Sequence, residues 1–419
     1  MTEVSVLSGG RTIGGSFIRI ADKDRTLVFD QGIRFDILGR YYDRWVQPSG
    51  VMELRKIGVL PKEEWYKDAT DVYITHLHLD HLGALSNIPA EIKVHLPGHS
   101  IYVEMKRRWE GSPTWLNLVP ENYYLKVDDS TPFIEDKNRV IPIPVSHSAY
   151  PAVAYLYFGA DKTILYTGDI RLHSFLDSKL FKTICKGPSL FDYIESQPDL
   201  KVDLLVIEGT NFGSERTPIL PDAAISLMKG IMAGCNLVIV TSHHLDVEFL
   251  AAVLSMAKKM EFKCHVSSEV VARTLELSGQ KFDVEVLEEY SKTPAFPTAP
   301  LSDVLVDKSL IITSYADVVD LCRGLEEEEL RNRQAVCILT EPEPGIEEMT
   351  EYNTVSRWLA FYGIHTYRIR VSGHYYPFEL NDILEHLKFK ELLPVHTEHP
   401  ELMLRMVKSR GQFPRKKGK

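Results

Sequence analysis

Residues 72–81 read Val-Tyr-Ile-Thr-His-Leu-His-Leu-Asp-His, which places three imidazoles and a carboxylate directly after an apolar run. The apolar run predicts a short buried strand over residues 71–75. The Leu-Gly-Ala-Leu at residues 82–85 predicts the start of a helix. Open α/β sheets usually place their sites at the carboxyl ends of strands, so the turn between these two elements is the expected position of a functional site.

The imidazoles and the carboxylate of this stretch predict a metal centre. His76 and His78 lie two residues apart on an extended backbone, so their side chains point the same way. Asp80 and His81 follow where the chain turns. This spacing suits two adjacent ions better than one. The alternative is a set of surface histidines that bind no metal, but a chance match to this pattern after a strand is rare.

Further ligands are expected after other buried strands, and the chain repeats that arrangement. An apolar stretch leads into each of three more residues, which are His147, Asp169 and His396. A lone residue of this kind is more often a turn or cap residue. In the order found here, these residues supply the imidazole and carboxylate groups that zinc accepts, and Asp169 can bridge two ions.

The order of these ligands resembles the metallo-β-lactamase fold superfamily, and later motifs are similar to those of its β-CASP nucleases. Glu-Gly-Thr at residues 208–210 resembles the first β-CASP motif, an acidic residue followed by Ser or Thr. Val-Ser-Gly-His at residues 371–374 is similar to the second motif. Pro-Val-His at residues 394–396 is similar to the third, where the RNA-cutting branch has His. Within the family, the likeness is to ribonuclease J and to the archaeal and eukaryotic cleavage factors of RNA 3′-end processing.

This resemblance covers essentially the whole chain and implies an α/β fold, an αββα metallo-β-lactamase sandwich with an inserted β-CASP α/β domain. Residues 1–211 would form the first part of the metallo-β-lactamase domain, residues 212–362 the β-CASP domain, and residues 363–419 the returning C-terminal part. Strand and helix patterns alternate in the insertion, with a clear amphipathic helix at residues 247–259, so a parallel sheet is expected there.

The resemblance also implies a role for each site residue. Two zinc ions would be held by seven ligands: His76, His78 and His147 for one ion, Asp80, His81 and His396 for the other, and Asp169 between them. Asp80, Glu208 and His374 are the predicted catalytic residues, with His374 as the general acid and Glu208 as the group that orients it. Asp30 is expected to orient a ligand, although a carboxylate in a turn is an equally common interpretation.

The leading hypothesis is therefore a zinc-dependent ribonuclease that hydrolyses RNA phosphodiester bonds by a two-metal mechanism, in RNA processing or decay. Digestion from a 5′ end, internal cleavage, or both are compatible with the motifs. A DNA nuclease or another two-metal phosphoesterase of this fold is one alternative. A non-catalytic scaffold of an RNA-processing complex is another, although such proteins lose ligands that this chain retains.

Composition favours a cytoplasmic protein without membrane association, and the family resemblance implies RNA as its partner. No apolar run approaches the length needed to span a bilayer, and the N-terminus has no basic region leading into an apolar one. The five cysteines are scattered without a CxxC pair, so neither a thiolate metal site nor a disulfide framework is indicated. The net charge of −10 does not exclude a polyanionic substrate, because two divalent ions add local positive charge. Whether the chain forms a homodimer stays open.

Two segments could contact RNA directly. Residues 40–45 and 105–109 mix basic and aromatic side chains, which can bind phosphates and stack on bases. An amphipathic surface in which long basic side chains cover apolar groups is an equally good interpretation of each segment.

Overall fold

The computed structural model describes residues 1–23, 25–43, 45–104, 126–215, 217–290, 295–325, 327–340 and 348–409. The predicted segment at residues 105–109 lies outside the described residues. The chain forms two compact units. The first consists of Met1–Leu172, Cys185–Arg216 and Gly373–Lys419, and the second of His173–Ile184 and Thr217–Ser372.

The described strands form three sheets, two in the first unit and one in the second. In chain order, the strands of the described residues are β1 (Glu3–Ser8), β2 (Phe17–Ala21), β3 (Thr26–Phe29), β4 (Ala69–Tyr73), β5 (Lys93–Leu96), β6 (Lys126–Asp129), β7 (Val140–Pro144), β8 (Val153–Phe158), β9 (Thr163–Tyr166), β10 (Val202–Glu208), β11 (Leu237–Thr241), β12 (Lys263–Val266), β13 (Glu285–Leu287), β14 (Thr298–Ala299), β15 (Ser309–Thr313), β16 (Val336–Leu339), β17 (His365–Arg368) and β18 (Phe389–Val395).

Helices connect these strands and cover the sheets. In the first unit, α-helices span Phe35–Tyr41, Val51–Ile57, Leu79–Leu82, Leu190–Glu195, Leu380–His386 and Pro400–Ser409. In the second unit, they span Ser178–Ile184, Pro221–Met232, Val247–Lys259, Glu269–Leu277, Val318–Gly324, Glu327–Asn332 and Glu348–Phe361. Among the described residues, no helix has both the length and the apolar character needed to cross a membrane.

The first unit packs two sheets face to face. One has the order β1-β2-β3-β4-β5-β6, and the other has the order β18-β10-β9-β8-β7. Their facing sides share one apolar cluster, in which Phe29 and Tyr73 of the first sheet lie beside Tyr155 of the second. The ring centroids of Tyr73 and Tyr155 are 5.4 Å apart. Burial of such large rings from both sheets is what holds the two layers together.

Helices cover the outer side of the second sheet. Apolar residues of that sheet, such as Leu205 and Ile207, share a buried cluster with Leu190, Leu384 and other residues of three helices. Those helices are Leu190–Glu195, Leu380–His386 and Pro400–Ser409. Two sheets that pack face to face, with helices on the outside, form an α/β sandwich. The predicted fold class is therefore confirmed.

The second unit is built on one parallel sheet of order β14-β13-β12-β15-β11-β16-β17. Every neighbouring pair of strands in it is parallel. The central strands β11, β15 and β16 are buried and mainly apolar because helices cover both faces of the sheet. The helix Val247–Lys259 packs on one face and Val318–Gly324 on the other. The helix predicted at residues 247–259 has those bounds.

The units differ in their bounds from the predicted domains 1–211, 212–362 and 363–419. Strand β17 pairs with β16, so residues 363–372 belong to the sheet of the second unit rather than to the returning part of the first. The segment His173–Ile184 also belongs to the second unit, where Phe175 packs edge-on against Phe249. The sequence pattern could not assign these segments because their partners lie far away in the chain.

Residues 76–81, which carry four of the predicted metal ligands and are called the ligand stretch below, run into a helix that begins earlier than predicted. It spans Leu79–Leu82 and ends at Gly83, whose φ of +64° favours glycine. A Cβ on Gly83 would lie 1.9 Å from the carbonyl oxygen of Gln31, and one on Gly32 would lie 1.6 Å from that of Asp80. Only glycine at these two positions allows the chain after β3 to lie directly against the helix that carries Asp80 and His81.

Candidate metal centre

The centre lies where several strands of the first unit end. The ligand stretch follows β4, and Glu208 is the last residue of β10. His147, Asp169 and His396 follow β7, β9 and β18, which run in the same direction as β10 and therefore end at the same edge of their sheet. The fold thus brings together the predicted metal ligands and the predicted catalytic residues.

One group of three imidazoles matches the first predicted ligand set. The ligand atoms of His76, His78 and His147 all lie within 4.8 Å of one another. Nε2 of His147 is 3.2 Å from Nδ1 of His78. His76 and His147 are buried, so the surrounding side chains fix the positions of their rings.

A second group matches the other predicted set. The ligand atoms of Asp80, His81 and His396 also lie within 4.8 Å of one another. Oδ2 of Asp80 is 3.1 Å from Nε2 of His396 and 3.9 Å from Nε2 of His81. An imidazole pair with a carboxylate is a ligand set that zinc accepts.

Asp169 lies between the two groups. Its Oδ2 is 3.8 Å from Nε2 of His76 and 3.8 Å from Nε2 of His147, both in the first group. The same oxygen is 3.1 Å from Nε2 of His81 in the second group. Its Oδ1 is 3.8 Å from Nδ1 of His396. One carboxylate therefore reaches both groups, which is the position that a bridging ligand requires.

Asp30 is a buried anchor beneath the centre. Its Oδ2 lies 2.8 Å from Nδ1 of His81 and accepts a hydrogen bond of 2.6 Å from the hydroxyl of Tyr166. Its Oδ1 accepts a 2.8 Å bond from the backbone N–H of Thr75. A carboxylate at Nδ1 leaves Nε2 of His81 directed at Asp169 and at Asp80.

Thr75 extends this anchor to His76. Its hydroxyl lies 3.0 Å from Oδ2 of Asp30 and 3.0 Å from Nδ1 of His76. A carboxylate can only accept, so the hydroxyl donates to Asp30 and its oxygen accepts from His76. The roles of Thr75 and Tyr166 were not part of the sequence prediction. The sequence offers one indication of the role of Thr75, which is its position directly before His76.

His374 sits at the margin of the centre, where it remains 19% exposed. Its Nδ1 is 2.9 Å from Oε1 of Glu208 and 3.7 Å from Oδ2 of Asp169. Glu208 is buried and also accepts backbone N–H groups, from Ile170 at 2.9 Å and from Thr210 at 3.1 Å. Because Glu208 binds Nδ1 of the ring, a proton exchanged with a bound molecule would pass through Nε2 of His374.

Burial and nearby charges shift the pKa values of the site histidines in opposite directions. Burial lowers the pKa of His76 and of His147 well below the ordinary value for histidine, so both rings are neutral at pH 7. Burial opposes the charged form of His81 too, but three carboxylates outweigh it and raise its pKa well above that value. These carboxylates belong to Asp169, Asp30 and Asp80. Burial alone would raise the pKa of Asp169, but the imidazoles of His396, His81 and His374 hold it well below the usual range.

A cation fits this donor set. Among the side chains that the structure describes, Nε2 of His76, Nε2 of His81 and Oδ1 of Asp169 are buried atoms without a hydrogen-bond partner. Leaving such groups unpaired is costly, and all three converge on the same centre. A metal ion would satisfy them together. The described His, Cys, Asp and Glu groups that could hold a metal all belong to this centre.

We expect zinc binding to the metal-free protein to release at least about one proton near pH 7, because a ligand must be deprotonated before it binds. The raised pKa of His81 means that its ring is protonated on both nitrogens, and so positively charged, before the ion arrives. Since that proton must leave, the apparent zinc affinity should rise with pH up to the pKa of His81. Calorimetric titration in two buffers of different ionisation enthalpy measures the released protons. Binding of zinc without any proton release would contradict the assignment of His81.

Three comparisons place this centre among known proteins. Residues 67–201 match the model of the metallo-beta-lactamase superfamily. A stretch of 104 residues is 27% identical to a ribonuclease J of Pyrococcus abyssi, and it covers 24% of this chain and 22% of that protein. The structure is similar to that of a protein of unknown function from Enterococcus faecalis V583, with a TM-score of 0.73 and 21% identity over 96% of this chain and 95% of the other.

The superfamily match includes the ligand stretch, His147 and Asp169. It therefore assigns the predicted sandwich to the first unit and makes the second unit an inserted domain. Metal binding and hydrolysis are the functions that this fold and this cluster of ligands indicate. The chain thus contains a metallo-β-lactamase superfamily domain, and the predicted resemblance to that superfamily and to ribonuclease J is confirmed.

Proposed function

We propose that this protein is a zinc-dependent ribonuclease that binds two metal ions and hydrolyses RNA phosphodiester bonds. The observation that carries the proposal is the pair of three-residue ligand groups joined by Asp169. When bound, two divalent ions would activate water and neutralise the oxygens of a phosphoryl group. The predicted site residues keep their proposed roles, with His76, His78 and His147 for one ion, Asp80, His81 and His396 for the other, and Asp169 shared.

The chain itself provides a proton donor beside this centre. Burial lowers the pKa of His374, but the carboxylates of Glu208 and Asp169 outweigh this effect and raise it above the ordinary histidine value. A protonated ring at this position would supply the proton that a leaving ribose oxygen needs. Glu208 fixes the orientation of the ring through Nδ1. We assign His374 as the general acid and Glu208 as the residue that positions it.

RNA is the substrate that the relationships favour. The ribonuclease J relative is named for this activity, and the third β-CASP-like motif has His396, as in the RNA-cutting branch of that family. Tyr41 and Trp45, on which bases can stack, are 57% and 78% exposed. On this proposal, the second unit is the β-CASP domain.

Other features of the proposal stay predictions from the sequence. They are the cytoplasmic location and the 5′-to-3′ direction of digestion. Digestion from a 5′-monophosphate end is the mode that the family resemblance favours, and internal cleavage is the alternative.

We expect the zinc-loaded protein to cut a single-stranded RNA at least about 10²-fold faster than DNA of the same sequence, since its proposed substrate is RNA. The test uses an RNA labelled at its 3′ end that carries either a 5′-monophosphate or a 5′-hydroxyl. Mononucleotides produced faster from the monophosphate substrate would support digestion from the 5′ end.

A circular RNA of the same sequence is the matched control, because it has no end. Its cleavage would demonstrate internal attack. Equal rates on RNA and DNA would contradict RNA specificity, and hydrolysis of neither, with metal bound, would contradict the nuclease proposal.

A further inference from the structure

Thr210 connects the proton donor to one of the metal-ligand groups. It lies two residues beyond Glu208, at the end of β10. Its hydroxyl donates to Oε2 of Glu208. The same oxygen lies 2.8 Å from Nδ1 of His396. The side chains of His374, Glu208, Thr210 and His396 therefore form one continuous chain of hydrogen bonds.

The chemistry of these groups fixes the direction of each bond. Glu208 is surrounded by donors, because its carboxylate receives the N–H groups of Ile170 and Thr210 and Nδ1 of His374. An ionised carboxylate only accepts, so the single hydroxyl proton of Thr210 points at Glu208. The lone pairs of the Thr210 oxygen then face His396, and they can only accept. Nδ1 of His396 must therefore carry a proton.

This proton decides which nitrogen of His396 can bind a metal. A neutral imidazole has one N–H and one lone pair, so a protonated Nδ1 leaves the lone pair on Nε2. That nitrogen is 3.1 Å from Oδ2 of Asp80 and belongs to the group formed by Asp80, His81 and His396. With the opposite tautomer, Nε2 would present a hydrogen to the ion and His396 could not bind there.

The backbone of His396 has an unusual conformation, which a hydrogen bond to the main chain of Gly9 accompanies. Its φ of +50° lies in the left-handed region, which a residue with a side chain adopts only when its surroundings enforce it. The backbone N–H of His396 donates to the carbonyl of Gly9 at 2.6 Å. The hydroxyl oxygen of Thr210 lies 2.8 Å from Nδ1 of the ring, and Oδ1 of Asp169 lies farther from the same nitrogen, at 3.8 Å. Oδ2 of Asp80 lies 3.1 Å from Nε2. The backbone bond places the residue, and the hydroxyl sets the tautomer and rotation of the ring.

The same arrangement occurs a second time in the centre. Asp30, Thr75 and His76 repeat the order carboxylate, threonine hydroxyl, imidazole, and there too the hydroxyl oxygen lies at hydrogen-bond distance from Nδ1. His76 belongs to the first ligand group and His396 to the second. Each group thus contains one imidazole whose tautomer is set by a threonine that a buried carboxylate has oriented.

We infer that Thr210 is a positioning residue, whose hydroxyl holds His396 in the tautomer that binds metal through Nε2 and joins that ligand to the His374–Glu208 pair. The inference rests on the proposed two-metal centre, but it does not depend on which phosphodiester is the substrate.

The test is the zinc affinity of metal-free protein, measured against a chromophoric chelator for the unsubstituted chain, Thr210→Val and Thr210→Ser. Valine keeps the shape of threonine and removes the hydroxyl, whereas serine keeps the hydroxyl. We expect Thr210→Val to bind one of its two zinc equivalents about 10- to 100-fold more weakly, as is usual when the partner of a metal-binding histidine is lost. The other equivalent should be unchanged. Thr210→Ser should bind both equivalents with the affinity of the unsubstituted chain.

Thr131→Val, a change at an exposed threonine of the same unit, is the control and should bind zinc normally. If Thr210→Val does not fold, Thr210→Ala takes its place with the same expected loss. The visible spectrum with Co²⁺ should show the loss of one imidazole ligand in the same variant.

Two results would overturn the inference. Both equivalents bound by Thr210→Val with unchanged affinity would show that the hydroxyl does not position His396. An equal loss in Thr210→Ser would show that packing, and not the hydroxyl, is responsible. If the unsubstituted chain binds no zinc at all, the proposed function fails together with the inference. Two equivalents bound alike by all variants would contradict the inference alone.

Discussion

Replacing Asp169 with alanine is expected to lower RNA hydrolysis by at least about 10³-fold, because a shared ligand of a two-metal site supports both ions. Its carboxylate lies within 3.8 Å of four imidazoles from both ligand groups. Without it, the buried rings also lose the negative charge that favours a cation among them. We therefore expect the zinc content, measured by elemental mass spectrometry, to fall well below that of the unsubstituted protein.

Asp199→Ala is the matched control, since Asp199 is an exposed aspartate of the same unit. It should retain both zinc and activity. A folded Asp169→Ala protein with full metal content and unchanged turnover would show that Asp169 is not shared between the two groups.

The second large effect distinguishes His374 from His396, the two site histidines in the C-terminal part of the chain. His374→Ala should lower turnover by about 10² to 10⁴, since only protonation of the leaving group is lost. Its zinc content should stay close to normal, because His374 lies outside the two predicted ligand groups. His396→Ala should instead weaken the binding of one ion, and added zinc should partly restore its activity.

Zinc should do nothing for the His374 variant. His386→Ala provides a control for loss of an imidazole, because His386 lies away from the centre beside Glu195. If His374→Ala lost a metal while His396→Ala kept both, the two roles would be exchanged.

Much of this centre could be predicted from the sequence, because its ligands follow buried strands at regular points. The stretch from His76 to His81 is local, so its pattern alone indicates a metal site. His147, Asp169 and His396 each follow an apolar strand, and parallel strands bring those positions to one edge of a sheet. The family resemblance predicts the class of the fold, and the alternation of strand and helix patterns predicts the parallel sheet of the second unit.

Contacts between distant residues could not be predicted in this way. Tyr166 reaches Asp30, and Thr210 reaches His396, only after the two sheets and the C-terminal strand have come together. Hydroxyl groups are common in sequences and carry no pattern of their own. The bounds of the second unit differ from the predicted domain bounds for a related reason, since the position of β17 depends on its pairing with β16.

The helix of the ligand stretch was placed too late because local propensity competes with tertiary packing. The Leu-Gly-Ala-Leu at residues 82–85 predicts a helix start, yet Gly83 ends the helix. Close approach of the backbone at Gly32 and Gly83 sets that end, and this contact joins two segments about fifty residues apart. Sequence alone offers a glycine at each position without showing which backbone it faces.

The most direct test of the central claim is a titration of metal-free protein with zinc, in which RNA hydrolysis is measured after each addition. Two ligand groups joined by Asp169 predict that hydrolysis stays near zero until about one equivalent is bound and reaches its plateau at about two, because both ions are needed at the phosphoryl group. Full activity in the metal-free protein, or a plateau at one equivalent, would contradict a two-metal ribonuclease.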